Sequence, residues 1–352
     1  MATTPASPDS VGATGAAIAE PSAPTWLETL RTLRAAGMLS AAVLILLATA
    51  LSGKLGNGLD LILPMGLVLT VALMYANGAN DVSKAIATLV GSGVTNYRRT
   101  IAWGALCTVL GSRASAALAA KLIGTFTGGF LASGVQQTAV FALAILVGAI
   151  LWVVVATRTG LPVSTTHAIT GALVTAGAFA YGAGNVRWAS LLRTVALPLA
   201  LSLVLALVGA LVGYYIMRFT LVRLLPSRAL NVLHWLSSGT ASFTRGLNDT
   251  PKIVALGVAF SLITQHTAKY AAPFWLFALV ALGMGAGSFV GGLKVTETLA
   301  EKVTRMDHTE GFAANLVTAF LVADAANLGL PVSTTHVSTG AIIGIGLREG
   351  VR

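Results

Sequence analysis

Leu197–Met217 is a run of 21 residues without one charged side chain. An α-helix rises ~1.5 Å per residue, so about 20 residues cross the hydrocarbon core of a bilayer. A helix also satisfies its backbone N–H and C=O groups within itself, which lipid requires. Similar runs fall at 35–51, 59–75, 100–120, 134–156, 163–182, 190–217, 228–243, 271–293, 311–328 and 332–347. Two continue past a break, with 82–91 after the second and 251–263 after the seventh. Only 10% of the 352 residues are charged, against ~25% in soluble domains. A transmembrane barrel would show short alternating segments instead. The pattern predicts an all-α polytopic membrane protein with about 10–12 transmembrane segments, ten crossings if each broken element crosses once.

The net charge of +10 comes without a dense basic run, so it does not point to nucleic acid. The cations sit singly or in pairs between apolar segments. With Arg31 and Arg34 placed in the cytoplasm, the predicted inside loops hold 13 Lys and Arg and the outside loops 4. That bias predicts a multi-pass protein of the cell membrane (the inner membrane in a Gram-negative cell) with both termini cytoplasmic. The single cysteine, Cys107, can form neither an internal disulfide nor a cysteine metal site and reads as a small core residue. Residues Met1–Pro24 are rich in Ala, Thr, Ser, Pro and Gly and hold no Lys or Arg, unlike a cleaved signal peptide. The expected organisation is a disordered cytoplasmic tail at 1–34, a first repeat with an extra N-terminal helix at 35–217, a cytoplasmic linker at 218–228 and a second repeat at 229–352.

The repeat is visible in two words. GLPVSTTH occurs at Gly160–His167 and again at Gly329–His336. Gly78-Ala79-Asn80-Asp81 aligns with Gly246-Leu247-Asn248-Asp249. Each GxND word precedes its STTH word by nearly the same distance. Five crossings separate the two GxND elements, and an odd number turns the second copy over. Inverted repeats with broken helices and a midplane site are a recurrent design of secondary transporters.

The residue types suggest a chemistry. Gly and Pro before each Ser-Thr-Thr predict a chain break and a helix start, where free N–H groups and the positive dipole end favour an anion. Two such starts facing one point can surround a tetrahedral oxyanion. A single word has a blander explanation, since Ser and Thr in membrane helices bond back to their own carbonyls; two inverted copies weigh against it. Asp81 and Asp249 are acids at membrane depth, which are costly and point to function. With Asn80 and Asn248 they offer hard oxygen ligands for a small cation, or helix caps. Lys84 and Lys252 follow their aspartates by three residues, on the same helix face. They either neutralise the acids or help hold an anion. His167 and His336 can titrate near neutrality, although hydrogen-bonded structural histidines are the simpler reading. The mixed charges from Lys294 to Asp307 read as a solvated cytoplasmic face. Arg113 has no obvious partner.

These words resemble those of the inorganic phosphate transporter family, whose members carry G-x-N-D and P-[VI]-S-T-T-H in each of two halves. The match spans roughly 59–347 and includes Gly91-Ser92-Gly93-Val94 and Gly311-Phe312-Ala313. The resemblance implies symport of inorganic phosphate with sodium or a proton, no cofactor beyond bound sodium ions, and a homodimer in the lipid bilayer. It implies that Asp81, Ser164, Thr165, Asp249, Ser333 and Thr334 line the phosphate site, and that Asn80, Asn248, Thr166 and Thr335 lie beside cations. This chain departs from the family at four positions that tune charge. Animal members have glutamate where it has Thr108 and Asn315, and the common form has asparagine where it has Lys84; some bacterial members share a lysine like Lys252. Two aspartates against two lysines sum to zero, so a weaker sodium dependence is expected, with an ammonium where other members hold sodium. Sulfate, also tetrahedral, is the alternative substrate. An anion channel and an intramembrane hydrolase using Ser164 or Ser333 with a histidine are the rivals from other classes, the latter lacking a purpose for an inverted, duplicated catalytic word.

Overall fold

A helix apolar on every side has no face to show to water, so it must lie in lipid or against other helices. The computed structural model describes residues 59–265, 272–303 and 306–347. These hold twelve helices of nine residues or more. They are α1 (Leu59–Asp81), α2 (Ser83–Gly91), α3 (Tyr97–Ala114), α4 (Ala119–Gly128), α5 (Ala139–Thr159) and α6 (Thr165–Tyr181), then α7 (Leu197–Phe219), α8 (Ser227–Gln265), α9 (Phe274–Gly291), α10 (Leu293–Glu301), α11 (His308–Leu328) and α12 (Thr334–Gly346). No strand occurs among the described residues. The protein is an all-α polytopic membrane protein. Ala139–Thr159, Trp188–Phe219, Phe274–Gly291 and His308–Leu328 are each long and apolar enough to cross a membrane unbroken. Tyr97–Ala117 with Ala119–Thr127 makes a fifth candidate, bent by 82°. The expected tail and the helix at 35–51 lie outside the described residues.

α7 shows how the helices sort their faces. Leu201, Leu205, Val208, Val212 and Ile216 form an exposed stripe suited to lipid tails, while Ala206, Ala210 and Tyr214 are buried. The buried side packs against α12, where a Cβ on Gly344 would come within 2.2 Å of Leu207 O. Small residues allow such close approach and stand in for the hydrophobic force that lipid removes.

The two halves use the same parts. α1 with α2 corresponds to α8, α3 to α9, α4 to α10, α5 to α11 and α6 to α12. α5 and α11 both have 21 residues and both end on a left-handed glycine, Gly160 at φ +79° and Gly329 at φ +72°. The next N–H closes the same motif in each, Leu161 N to Ala156 O and Leu330 N to Ala325 O, both 2.8 Å. The GxND glycines serve matching crossings. A Cβ on Gly78 would meet Met284 O at 2.1 Å, and one on Gly246 would meet Thr108 O at 2.5 Å.

Two expectations need correction. A break after Asp249 is not found, because α8 runs through Asn248, Asp249 and Pro251 as a single helix. The first copy is interrupted only at Val82, whose N–H still reaches Gly78 O at 3.3 Å. The wide breaks lie instead at the Gly-Leu-Pro segments before Ser164 and Ser333, where glycine ends one helix and proline delays the next. The run 100–120 is likewise not one straight crossing, since it bends after Ala117 into α4.

Candidate functional site

The repeated octapeptide divides its work among its residues. Ser164 and Ser333 are the caps of α6 and α12, accepting from His167 N at 3.2 Å and His336 N at 3.1 Å. Their φ and ψ agree within a few degrees, −88° and 115° against −89° and 112°. A cap uses a lone pair and leaves the hydroxyl proton free to donate. The second threonines lock the halves together. Thr166 Oγ1 donates to Val332 O at 3.0 Å, and Thr335 Oγ1 donates to Val163 O at 2.8 Å. Two equivalent residues that exchange the same bond are related by a local two-fold axis. On that axis the rings of His167 and His336 lie 4.7 Å apart.

The two unwound carbonyls also take the lysines. Lys84 Nζ donates to Val163 O at 2.7 Å and to Asp81 Oδ1. Lys252 Nζ donates to Val332 O at 3.0 Å, Asp249 Oδ1 at 2.9 Å, Thr166 Oγ1 at 2.7 Å and Asn248 Oδ1. Each of these carbonyls thus holds the ammonium of its own repeat and the threonine of the other. All four charged side chains are buried. The four oxygens around Lys252 are the hard donors expected of a small-cation site, with an ammonium among them.

Equivalent residues nevertheless differ between the halves. Asn80 spends its whole amide on the first chain break, donating to Thr157 Oγ1 and Leu161 O at 3.0 Å each and accepting from Val163 N at 3.0 Å. Asn248 holds Lys252, and its Nδ2 has no partner. Asp81 Oδ2 receives Asn77 Nδ2 at 3.1 Å and the Thr165 hydroxyl at 3.4 Å. Asp249 Oδ2 has no partner.

Arg245 accompanies this difference, and the sequence reading missed it. It stands before Gly246 as Asn77 stands before Gly78, so extending the aligned word by one residue would have found it. It is 2% exposed, and its Nη2 donates to Thr108 Oγ1 and, at 3.4 Å, to Ser288 Oγ, which in turn donates to Gly78 O at 3.1 Å. Its Nε and Nη1 have no partner. Asp81 and Asp249 are the carboxylates within its electrostatic reach. The charge sum of zero expected from two aspartates and two lysines becomes +1 for this cluster once Arg245 is counted, three cations against two anions; the other buried carboxylate, Glu310, belongs to the capping box of α11.

The remaining candidates sort by distance from this cluster. Thr108 joins it through Arg245. Asn315 does not bond to it; its Nδ2 donates to Thr88 Oγ1 at 2.7 Å, which also lies 3.1 Å from His234 Nε2. Thr334 is buried beside the capping Ser333. Arg113, without a partner in the sequence, stacks over the Phe274 ring at 3.6 Å. The hydrolase reading finds no support, because Ser164 and Ser333 meet the backbone N–H of their histidines and the rings face one another.

Comparison with known proteins identifies the family. The model of a phosphate transporter family matches residues 77–352. The chain belongs to the phosphate transporter family. It is 32% identical over 291 residues to a Rhizobium meliloti protein named "Probable low-affinity inorganic phosphate transporter", covering 81% of this chain and 85% of that one. A Mycobacterium bovis protein of the same name is 30% identical over 288 residues, covering 80% of this chain and 67% of the relative. A solved structure described as "The sodium-dependent phosphate transporter" superposes with a TM-score of 0.72 at 25% identity, covering 82% of this chain and 90% of that one. These relatives are transporters rather than enzymes. In this member of the family, the four words that announced the resemblance converge on one buried site.

Proposed function

We propose that this transporter carries inorganic phosphate across the cell membrane by cation-coupled symport, with the two repeats alternating around the site at the two-fold axis. The observation that carries the reading is the reciprocal pair of threonine bonds, Thr166 to Val332 O and Thr335 to Val163 O. It supports the reading because both capped helix starts and both Lys–Asp pairs meet the same two carbonyls, Val163 O and Val332 O, or their neighbours. A buried excess of +1 in a low dielectric favours an anion. The helix starts add dipoles and hydroxyl donors. In the working cycle the ammonium groups of Lys84 and Lys252 shift from their carboxylates toward the anion, and the freed aspartate, asparagine and threonine oxygens are open to a coupling ion.

Lys84 and Lys252 fill positions that suit a mobile cation, so sodium dependence is weak here and a proton gradient contributes. The same reading takes residues 35–217 and 229–352 as inverted repeats, puts both termini in the cytoplasm and makes the protein a homodimer. Reconstitution in liposomes tests it directly. Labelled phosphate uptake should saturate and follow an imposed proton gradient more than a sodium gradient. Lys84→Asn should make uptake more sodium-dependent than in wild type. Absence of phosphate uptake under any gradient would refute the assignment, and equal loss on sodium removal in both proteins would refute the role of Lys84.

A further inference from the structure

Resting on the oxyanion reading above, we propose that Arg245, Asn248 and Asp249 form the face that contacts the carried anion and distinguishes phosphate from sulfate, while Asp81 only positions Lys84 and Thr165. The two aspartates are equivalent by sequence, and the structure makes them unequal.

Arg245 Nε and Nη1, Asn248 Nδ2 and Asp249 Oδ2 are buried atoms without hydrogen-bond partners. The three residues sit at i, i+3 and i+4 of α8, one face of one helical turn. Nearly all buried polar atoms in folded proteins have partners, so this many open groups on one turn mark a place where a ligand supplies them. In the first repeat the matching atoms are closed. Asn80 is fully bonded, and both oxygens of Asp81 are engaged by Lys84, Asn77 and Thr165. The one open atom there, Asn77 Oδ1, is an acceptor and repels an anion.

The open set has a definite chemistry. Guanidinium and amide N–H groups donate to unprotonated oxygens of an oxyanion, and arginine suits such oxygens geometrically. Asp249 Oδ2 is an acceptor and needs a proton from the ligand. Phosphate near neutral pH keeps at least one P–O–H and can donate it; sulfate has none and would set a bare negative oxygen against the carboxylate. A site built to receive a substrate hydroxyl rejects the analogue that lacks it, because its own polar group is left unpaired. In the arrangement seen here Lys252 sits on Asp249 Oδ1, which leaves Oδ2 as the open acceptor.

Equilibrium binding of labelled phosphate and labelled sulfate to the purified full chain in detergent tests this. Arg245→Asn, which copies the first repeat, should weaken both anions by about tenfold or more, and Arg245→Lys, which keeps the charge, should weaken them less. Asp249→Asn should raise sulfate binding relative to phosphate by about tenfold or more. Asp81→Asn should weaken both anions alike and leave their ratio within about twofold. If Asp249→Asn does not elute as a folded protein, Asp249→Asn with Lys252→Gln removes the stranded ammonium and gives the same ratio. Wild-type phosphate affinity in Arg245→Asn, or equal shifts of the ratio in the two aspartate variants, would overturn the proposal and leave the oxyanion reading standing. No phosphate binding by wild type would overturn both.

Discussion

Lys252 and Lys84 occupy matching places with unequal support. Lys252 Nζ meets four oxygens and Lys84 Nζ two. Removing one member of a buried ion pair costs about 3–5 kcal/mol, because the other charge is stranded. Lys252→Met should therefore lower the melting temperature in detergent more than Lys84→Met, and Asp249→Asn with Lys252→Met should recover part of the loss. A thermal ramp followed by gel filtration reads this; equal losses for both lysines would contradict the cage around Lys252. The serines should behave as caps. Ser164→Ala and Ser333→Ala each lose about 1 kcal/mol of stability, and Asn in either place should restore most of it. The STTH words could be read as helix starts from composition alone, since capping is a local event. That Thr166 bonds to Val332 could not, because its partner is 166 positions away.

At the level of elements, glycine decides where helices cross. Gly78 lies against the backbone of Met284, and Gly246 against that of Thr108, too close for any Cβ. Gly78→Ala and Gly246→Ala must push whole helices apart, at a cost of at least ~1–3 kcal/mol. Both should reduce the yield of monodisperse protein. Gly124→Ala, with nothing within 4 Å of its Cβ, should be silent. Gly160→Ala should destabilise by about 1 kcal/mol, since left-handed backbone disfavours a side chain. Helix extents were legible in the sequence to within a few residues for α7, α11 and α12, because apolar length fixes them. The course of α8 was not. The interruption of the apolar run at the GxND word suggested a break, but the helix continues, and the one N–H bond that Pro251 lacks is tolerated inside a helix packed on several sides.

For the molecule as a whole, the two-fold relation makes a prediction about sidedness. Lys294 Nζ reaches Arg158 O, joining two cations that the charge bias puts inside, while Gly329, the counterpart of Gly160, sits against Lys121, which it puts outside. With the buried Cys107 changed to serine, Lys121→Cys should react with an impermeant thiol reagent in intact cells and Lys294→Cys only after permeabilisation. Reaction of both from outside would exclude the inverted arrangement. The sequence by itself determined the helical class, the repeated words and the capped helix starts. All of these follow from run length, spacing and local backbone chemistry. Only the tertiary structure decided that Arg245 reaches Thr108, 137 positions away, that Asn80 is consumed as a brace while Asn248 is left open, and that the site carries +1 rather than zero. Helices that are apolar on all sides do not encode which face meets which neighbour. That choice is made by close packing of small residues and by the few buried polar groups that must find partners, and it separates two halves that read alike.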